Sequence, residues 1–395
     1  MCLYLRSAFL PLLLISAFIS ANAEDRISMD AEILDVMERY QAIGLSVAVV
    51  KDNKLADIKT YGYNPDYSDT TLRMAIPTDG VYVIQSISKS FIATAIMQLV
   101  EKKKLKLDDD VNTYLGFTVR NPRYPSVPIT IRMLLSQRSS INDKHYGWTF
   151  DQINPEKGEK WQECYNEYQP GTKFSYCNLN YNLLGAIVES VTREKFFNYI
   201  DKNITNPLGL YASFNLTNID SMRLVRAYEY DKQLKAFKKD PYIYNYQHYY
   251  NKLRDYKLCS SSTATFSPSG GMKISAVDLA KYMIMHMNNG KFNGKRIISK
   301  KSEKEMRMPQ GDDESSTVYF SQYGLSFSRW SRIVDGESFV GITGGAHGIH
   351  SAMYFNPKKK YGFVVICNGC TSDIKMKDSI VKVLYKYYVN KKGNS

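Results

Sequence analysis

Apolar runs near both ends of the chain predict β-strands. Residues 44–50 are apolar and rich in valine, and a second strand around 55–61 completes a hairpin with them. Two further strands are predicted at 351–356 and 361–366, and a basic amphipathic helix follows over 373–388. Strands at both ends with helices between them indicate one antiparallel sheet that is built from both termini.

The region between these strands is rich in predicted helices. From Ile92 to Val100, apolar side chains recur at the spacing of one buried helix face, and similar patterns predict helices over 181–191 and 276–287. Residues 226–258 are rich in Tyr and Lys and show no clear period. We interpret them as a long segment on the protein surface. Its aromatic side chains either pack a long loop or line one wall of a substrate-binding site. The predicted fold class is α+β, an antiparallel sheet flanked by helices with a helical region inserted.

The N-terminus predicts an export signal. Arg6 is the only charge before Glu24, an apolar run covers 8–19, and Ala21-Asn22-Ala23 supplies a small-residue cleavage site. The run is too short for a transmembrane helix, which needs about 20 apolar residues. We therefore expect a signal peptide over 1–23 and an exported protein, periplasmic or secreted, without a transmembrane anchor.

The net charge narrows the class of partner. The chain carries 52 Lys and Arg against 39 Asp and Glu, a formal charge of +13. Such a balance is typical of contact with nucleic acid, of contact with an anionic cell envelope, or of a solvated surface. An exported protein rarely meets nucleic acid, so we expect no nucleic-acid partner, and the other two explanations stay open. With 44% apolar and 23% charged residues, the composition excludes a disordered protein.

The cysteines predict neither a disulfide framework nor a metal site. Five of them follow the predicted cleavage point: Cys164, Cys177, Cys259, Cys367 and Cys370. An odd number leaves at least one thiol unpaired. Cys367 and Cys370 form a CxxC pair with His347 and His350 upstream, but the spacing does not fit a zinc finger. We expect no metal and no cofactor.

Ser86-Ile87-Ser88-Lys89, at the start of the first predicted helix, is the main catalytic candidate. Residues i and i+3 lie on one helix face, so the Lys89 amine would be held against the Ser86 hydroxyl. A serine becomes nucleophilic when a neighbouring base takes its proton, and a buried lysine with a lowered pKa can be that base. The spacing recurs at Ser372/Lys375 and Ser379/Lys382, on the charged C-terminal helix. The alternative is that Ser86 caps the helix and Lys89 is a surface residue.

Two further motifs suit the same chemistry. Tyr176-Cys177-Asn178 offers a phenol that can relay protons and an amide that can hold both a substrate carbonyl and the lysine. Thr343-Gly344-Gly345 comes before a predicted strand, and glycines there let the backbone approach a ligand closely. A backbone N–H at this point could complete an oxyanion hole with that of Ser86.

In this order, the three motifs resemble those of the serine β-lactamase and penicillin-binding protein superfamily, and the Y-x-N form points to its class C-like branch. Supporting segments are similar to the family's at 98–109, 129–136, 169–175 and 269–272. The likeness spans about residues 44–386. It implies a β-lactamase/transpeptidase-like fold.

The resemblance implies a single catalytic domain over 24–395. Its α/β part would cover about 24–85 and 270–395, and its helical part about 86–269.

The resemblance also implies a role for each motif residue. Ser86 would be the acylated nucleophile, Lys89 its activator and Tyr176 the proton relay. Asn178 would orient the substrate and the lysine, and the N–H groups of Ser86 and Gly345 would form the oxyanion hole. Thr343 and Gly344 would belong to the same substrate-binding edge. The implied activity is that of a serine hydrolase which forms an acyl-enzyme with an ester, a D-amino-acid peptide or a β-lactam.

Ile342 departs from the family pattern, in which a lysine or histidine begins the third motif. That cation helps to bind a substrate carboxylate, so its absence weakens the case for penicillins and D-Ala-D-Ala peptides. Either His347 or His350 could supply the missing charge, or both could have no role. A second departure is Ser139-Ser140, where relatives show Ser-Gly.

The departure at Ile342 favours an alternative function. The chain could be a catalytically weak receptor, similar to penicillin-binding proteins, for peptidoglycan fragments or peptides. The complete set of Ser86, Lys89 and Tyr176 argues against this alternative, because a pure binder needs no proton relay.

Overall fold

The computed structural model describes residues 26–65, 73–147, 149–240, 245–258, 261, 266–311 and 321–390. The predicted signal peptide and Cys259 lie outside these residues. Among the helices in the described ranges, none combines the length and the apolar character that crossing a bilayer requires.

Strands and helices alternate along the described chain. The strands are β1 (Gly44–Lys51), β2 (Lys54–Pro65), β3 (Arg73–Ala75), β4 (Val81–Val83), β5 (Ala212–Ser213), β6 (Tyr228–Asp231), β7 (Ala236–Lys239), β8 (Lys273–Ser275), β9 (Lys291–Phe292), β10 (Lys295–Arg296), β11 (Gln322–Tyr323), β12 (Ser328–Trp330), β13 (Phe339–Ala346), β14 (Ile349–Asn356) and β15 (Tyr361–Cys367). The helices are α1 (26–39), α2 (Ser88–Glu101), α3 (Ile131–Leu135), α4 (Asn178–Thr192), α5 (Phe196–Ile200), α6 (Tyr246–Arg254), α7 (Ala276–Met287), α8 (Lys300–Arg307) and α9 (Asp373–Tyr388).

An antiparallel sheet of eight strands, in the order β11-β12-β13-β14-β15-β1-β2-β3, joins the two ends of the chain. Strand β1 pairs with β15, so that Leu45 lies opposite Cys367 and Lys51 opposite Tyr361. On its other side β1 pairs with β2 as a hairpin. The prediction of an α+β fold with one antiparallel sheet built from both termini is confirmed.

Both faces of this sheet are covered, which explains why β1 is apolar at consecutive positions. Successive side chains of a strand point to opposite faces. Leu45, Val47 and Val49 pack in a cluster with apolar residues of α1 and α9. Ala48 and Val50 pack on the opposite face in a larger cluster that includes residues of α2 and α7. Each large aliphatic side chain buried in this way contributes about 1.5–3 kcal/mol.

The sequence predicted one buried face for helix α2. In the structure the helix is buried on all sides. Every residue from Ser88 to Leu99 is buried, including the polar Lys89, Ser90 and Thr94. Thr94 Oγ1 donates a hydrogen bond to Ser90 O at 2.9 Å and lies 2.8 Å from Tyr282 OH. The apolar pattern is therefore that of a central helix, with a few polar side chains that have internal partners.

Other elements differ from the sequence-based expectations in detail. Ser86 does not open the helix, because a 3-10 turn at Gln85–Ile87 precedes α2. Gly344 and Gly345 lie within β13 rather than before a strand. Part of the Tyr- and Lys-rich stretch forms the β6–β7 hairpin and α6, for which the sequence showed no clear period. The limits predicted for the α/β and helical parts stay predictions.

Candidate active site

Ser86 lies in a strained turn that the surrounding structure holds in place. Its neighbour Gln85 has a φ of 51°, a conformation that residues other than glycine rarely adopt. On one side of the turn, Ile84 N donates to Met272 O at 2.9 Å, and Met272 N donates to Ser88 Oγ at 3.0 Å. Backbone strain persists where packing and hydrogen bonds over-determine it, and it is typical of functional sites.

Lys89 is completely buried beneath Ser86. Its Nζ lies 3.0 Å from Ser86 Oγ, 2.9 Å from Asn178 Oδ1 and 2.8 Å from Ser269 O. Burial lowers the pKa of Lys89 to about 7, and the charge of Asp143 opposes this shift only in part. A substantial fraction of the amine is therefore neutral at neutral pH.

The partners of Lys89 decide where the lone pair of the neutral amine points. A neutral amine has two N–H groups and one lone pair, whereas the ammonium donates three hydrogen bonds. The Ser269 carbonyl and Asn178 Oδ1 only accept, so they take both N–H groups. The lone pair then faces the Ser86 hydroxyl, which is the geometry that a general base requires.

Tyr176 completes the contacts of the Ser86 hydroxyl. Its OH donates to Ser86 Oγ at 2.7 Å, and its ring centroid lies 4.9 Å from Lys89 Nζ. The surrounding protein raises the pKa of Tyr176 above its usual value, so the resting group is a phenol rather than a phenolate. Although its hydroxyl contacts Ser86, 44% of Tyr176 is exposed, which places this residue at the open side of the site.

Asp143 is a residue of the site that the sequence analysis missed. It accepts hydrogen bonds from Asn178 N at 2.7 Å, Asn178 Nδ2 at 3.0 Å and Leu179 N at 3.0 Å. These contacts cap the N-terminus of α4, where backbone N–H groups lack partners within the helix. Because Asp143 holds Asn178 Nδ2, the amide oxygen of Asn178 must face Lys89. Asp143 lies in a loop 35 residues before Asn178, and no local pattern links the two.

The third motif lies against the nucleophile turn. A Cβ atom at Gly344 would lie 2.3 Å from Ile84 O and 2.9 Å from Gln85 Cβ, so only glycine fits there. Ser351, on the neighbouring strand β14, donates to Ile84 O at 2.7 Å. The edge of β13 that carries half-buried Thr343 and exposed Gly345 is thereby held next to the turn that carries Ser86.

The departures from the family pattern have clear structural correlates. The Ile342 side chain is buried in the large apolar cluster and brings no charge to the site. His347 Nδ1 lies 2.8 Å from Asp240 Oδ2, and this hydrogen bond raises the pKa of His347. Its observed partner is therefore an acid after the β6–β7 hairpin rather than Ser86 or Lys89. Ser140 has a φ of 62°, a left-handed conformation that glycine adopts more readily than serine.

The described residues offer no arrangement for a metal ion. Within the described ranges, no three or more His, Cys, Asp and Glu side chains converge as metal ligands. In the same ranges, Cys164, Cys177, Cys367 and Cys370 form no disulfide with one another. Cys177 Sγ lies beside the site and donates to Asp143 Oδ1 at 3.1 Å.

Comparison with known proteins identifies the class to which this fold and site correspond. The family model described as Beta-lactamase matches residues 29–383. The chain belongs to the beta-lactamase family, and it is similar to penicillin-binding proteins.

Two relatives of known sequence are about one quarter identical to this chain over the aligned residues. Protein flp of Staphylococcus aureus strain N315 is 26% identical over 333 residues, which cover 82% of this chain and 59% of flp. The chain thus spans less than two thirds of that protein. Penicillin-binding protein 4 of Amycolatopsis lactamdurans is 27% identical over 310 residues, or 75% of this chain and 74% of the relative.

Solved structures confirm the β-lactamase/transpeptidase-like fold. The octameric penicillin-binding protein homologue from Pyrococcus abyssi superposes with a TM-score of 0.72 at 25% identity, covering 91% of this chain and 77% of that one. The D-amino acid amidase from Ochrobactrum anthropi SV3 gives a TM-score of 0.68 at 17% identity, and the match covers 92% of this chain and 99% of the amidase chain.

The cap on α4 leads to a prediction about stability. We expect Asp143→Asn to lower the free energy of unfolding by about 1–2 kcal/mol, because an amide cannot accept from all the N–H groups that the carboxylate satisfies. Urea denaturation followed by circular dichroism measures this change. The matched control is Asp35→Asn, an exposed acid paired with Arg39 in α1, which should cost under about 0.5 kcal/mol. Equal stability of the two variants would contradict the capping role.

Proposed function

We propose that this protein is an exported serine hydrolase that forms an acyl-enzyme on Ser86. The observation that carries the proposal is the position of the Ser86 hydroxyl between two groups that can move its proton. Its Oγ lies 3.0 Å from Lys89 Nζ and 2.7 Å from Tyr176 OH. The proposal assigns Lys89 as the base because its pKa lies near neutrality, whereas Tyr176 is protonated at rest.

In the proposed acylation, Ser86 Oγ attacks the carbonyl carbon of the substrate while its proton moves to neutral Lys89. The new C–O bond pushes the carbonyl electrons onto oxygen, and the N–H groups of Ser86 and Gly345 stabilise that oxyanion. The intermediate then expels the leaving group, which takes a proton from Tyr176 OH. Lys89 then returns its extra proton to the Tyr176 oxygen, so that both groups regain their resting state while Ser86 Oγ stays acylated.

Deacylation follows the same route with water as the nucleophile. Water loses one proton, which Tyr176 relays to neutral Lys89, as the water oxygen attacks the acyl carbon. Lys89 then returns that proton to the Ser86 oxygen as it leaves the acyl carbon. Asn178 would orient both substrate and lysine, because Asp143 fixes its amide and leaves the oxygen towards Lys89. Thr343 and Gly344 would support the acyl group along the edge of β13.

For the substrate we propose an acyl donor without a free carboxylate next to the scissile bond. Ile342, at the position of the family's cation, is buried in the apolar core. His347 is engaged by Asp240, so its charge is compensated locally. These two observations favour an ester or an amide of a D-amino acid over a β-lactam or a D-Ala-D-Ala peptide, although penicillin-binding protein 4 is among the relatives.

The same two observations leave a receptor as the second candidate. A catalytically weak protein that binds peptidoglycan fragments or peptides would also need no cation at position 342. The complete hydrogen-bonded set of Ser86, Lys89 and Tyr176 favours the enzyme.

The location and the domain limits belong to the same proposal. The leader-like sequence over 1–23 supports cleavage after Ala23 and export to the periplasm or the medium. We further propose one catalytic domain over 24–395, with its helical part at about 86–269 between the two segments of the α/β part. The expected partners are small-molecule or peptide substrates, including cell-wall fragments.

Covalent labelling tests the nucleophile. Incubation with a fluorescent fluorophosphonate should add one label per chain, and Ser86→Ala should abolish it because the attacking oxygen is gone. The control is Ser379→Ala, which removes the serine of another S-x-x-K sequence, on α9, and should leave the labelling unchanged. Intact-mass spectrometry measures both. Folded wild-type protein that takes no label would support the receptor.

The environment of Lys89 predicts the pH dependence of turnover. Since the base must be neutral, kcat/KM for a p-nitrophenyl ester should rise with pH and level off above an apparent pKa of about 7. Lys89→Met should lower kcat/KM by about 10²–10⁴-fold and remove this inflection. Stopped-flow measurements across the pH range provide the profile. An inflection that persists in Lys89→Met would assign the base to another group.

Substrate preference tests the inference from Ile342. A p-nitrophenyl ester or a D-amino-acid amide should be turned over at least about tenfold faster, by kcat/KM, than nitrocefin or a D-Ala-D-Ala peptide, because a lost charged hydrogen bond costs about 1.5–3 kcal/mol. Absorbance assays on the four substrates give the ratios. A preference for the two substrates that carry a carboxylate would contradict the argument.

A further inference from the structure

One end of the molecule presents an exposed basic surface made by two chain segments. We call it the basic face, and it consists of Lys102, Lys103, Lys104, Lys291, Lys295, Arg296, Lys300, Lys301 and Lys304. All nine side chains belong to exposed residues. They come from the C-terminal end of α2, the β9–β10 hairpin and the first turns of α8.

Hydrogen bonds hold these two segments together. Ser299 N donates to Glu101 Oε1 at 2.7 Å, and Gln98 Nε2 donates to Ile297 O at 3.0 Å. Arg296 Nη1 donates to Ile298 O at 3.2 Å, so the hairpin is tied to the start of α8. The basic face is therefore a continuous surface rather than a set of separate lysines.

Acids do not neutralise this surface. Over 101–104 and 288–304 the acids are Glu101, which caps Ser299, and Glu303, which is buried and pairs with Arg307. Among the described residues, none forms an ion pair with a member of the basic face. Nine unpaired cations on one surface produce a positive potential that attracts an extended anion.

The kind of cation indicates the kind of partner. Eight of the nine are lysines, which act as mobile point charges, whereas bidentate recognition of a particular phosphate or carboxylate favours arginine. The two cavities near Glu189 and near Asp201 are lined by residues outside the basic face. A spread of exposed lysines over two chain segments suits a plane of negative charge such as lipid headgroups.

The basic face also lies far from the candidate active site. Ser86 and Lys89 are at the N-terminal end of α2, and Lys102 follows its C-terminal end. The 13 residues from Lys89 to Lys102 span about 20 Å along the helix at about 1.5 Å per residue. Attachment through the basic face would therefore keep Ser86 and Lys89 away from the contact with the membrane.

We propose that the basic face docks this protein reversibly onto the surface of a bilayer that contains anionic lipids. The docking is electrostatic, since Lys residues near such a surface are attracted to its negative potential within about a Debye length. It does not rest on the proposed hydrolase activity, because none of its residues contacts Ser86, Lys89 or Tyr176 among the described contacts.

Vesicle sedimentation of the purified chain tests the proposal. The protein should bind vesicles of phosphatidylcholine and phosphatidylglycerol in a ratio of about 7:3, and not vesicles of phosphatidylcholine alone. Binding should be lost at about 0.5 M NaCl, where the Debye length is only a few ångström. Replacement of Lys300, Lys301 and Lys304 together by Gln should weaken it by about 10–100-fold.

A second triple variant removes the same charge elsewhere. Lys160, Lys232 and Lys235 are exposed residues outside the basic face, and their joint replacement by Gln should change binding by less than about twofold. Thermal unfolding shows that both variants are folded. Equal losses in the two variants would assign binding to net charge alone. Failure to bind anionic vesicles, or binding only to a dissolved anionic polysaccharide, would overturn the proposal.

Discussion

The burial of one amine organises the candidate site. An ammonium without water is costly to keep charged, so the fully buried Lys89 titrates near neutral pH instead of near its usual value. The lowered pKa alone does not make Lys89 a base for Ser86, because the lone pair of the neutral amine must also point at the Ser86 hydroxyl. Two acceptors that cannot donate, Ser269 O and Asn178 Oδ1, take its hydrogens and turn its lone pair towards Ser86.

Both acceptor residues are in turn held at helix α4. Asn178 is fixed by Asp143, which satisfies the N-terminus of α4, and Ser269 N donates to Asn182 Oδ1 at 3.2 Å one turn further along that helix. The strand edge with Gly344 closes the other side of the nucleophile turn. The site therefore lies where the large sheet meets the helices, and its geometry depends on the packing of both.

Several features could be predicted from sequence because they are local. The apolar periods gave helices close to those observed over Ala276–Met287 and Asp373–Tyr388, and the sheet from both termini followed from strand patterns at the two ends. The S-x-x-K spacing placed Lys89 next to Ser86, because three residues are less than one helical turn. The β6–β7 hairpin and α6 escaped prediction, because the Tyr- and Lys-rich sequence shows no clear period and α6 packs only partly buried residues, such as Tyr249 and Leu253, against the core.

From the sequence alone we predicted the sheet from both termini, the main helices, the family and the groups that meet at Ser86. The environment of each group became visible only in the folded chain. Lys89 is desolvated, Asp143 orients Asn178, Ile342 is buried in the core, and His347 is hydrogen-bonded to Asp240. The reason is the range of the interactions. Periodicity and motif spacing act between neighbours in the chain, whereas burial and hydrogen bonds between Asp143 and Asn178, or His347 and Asp240, join residues 35 and 107 positions apart.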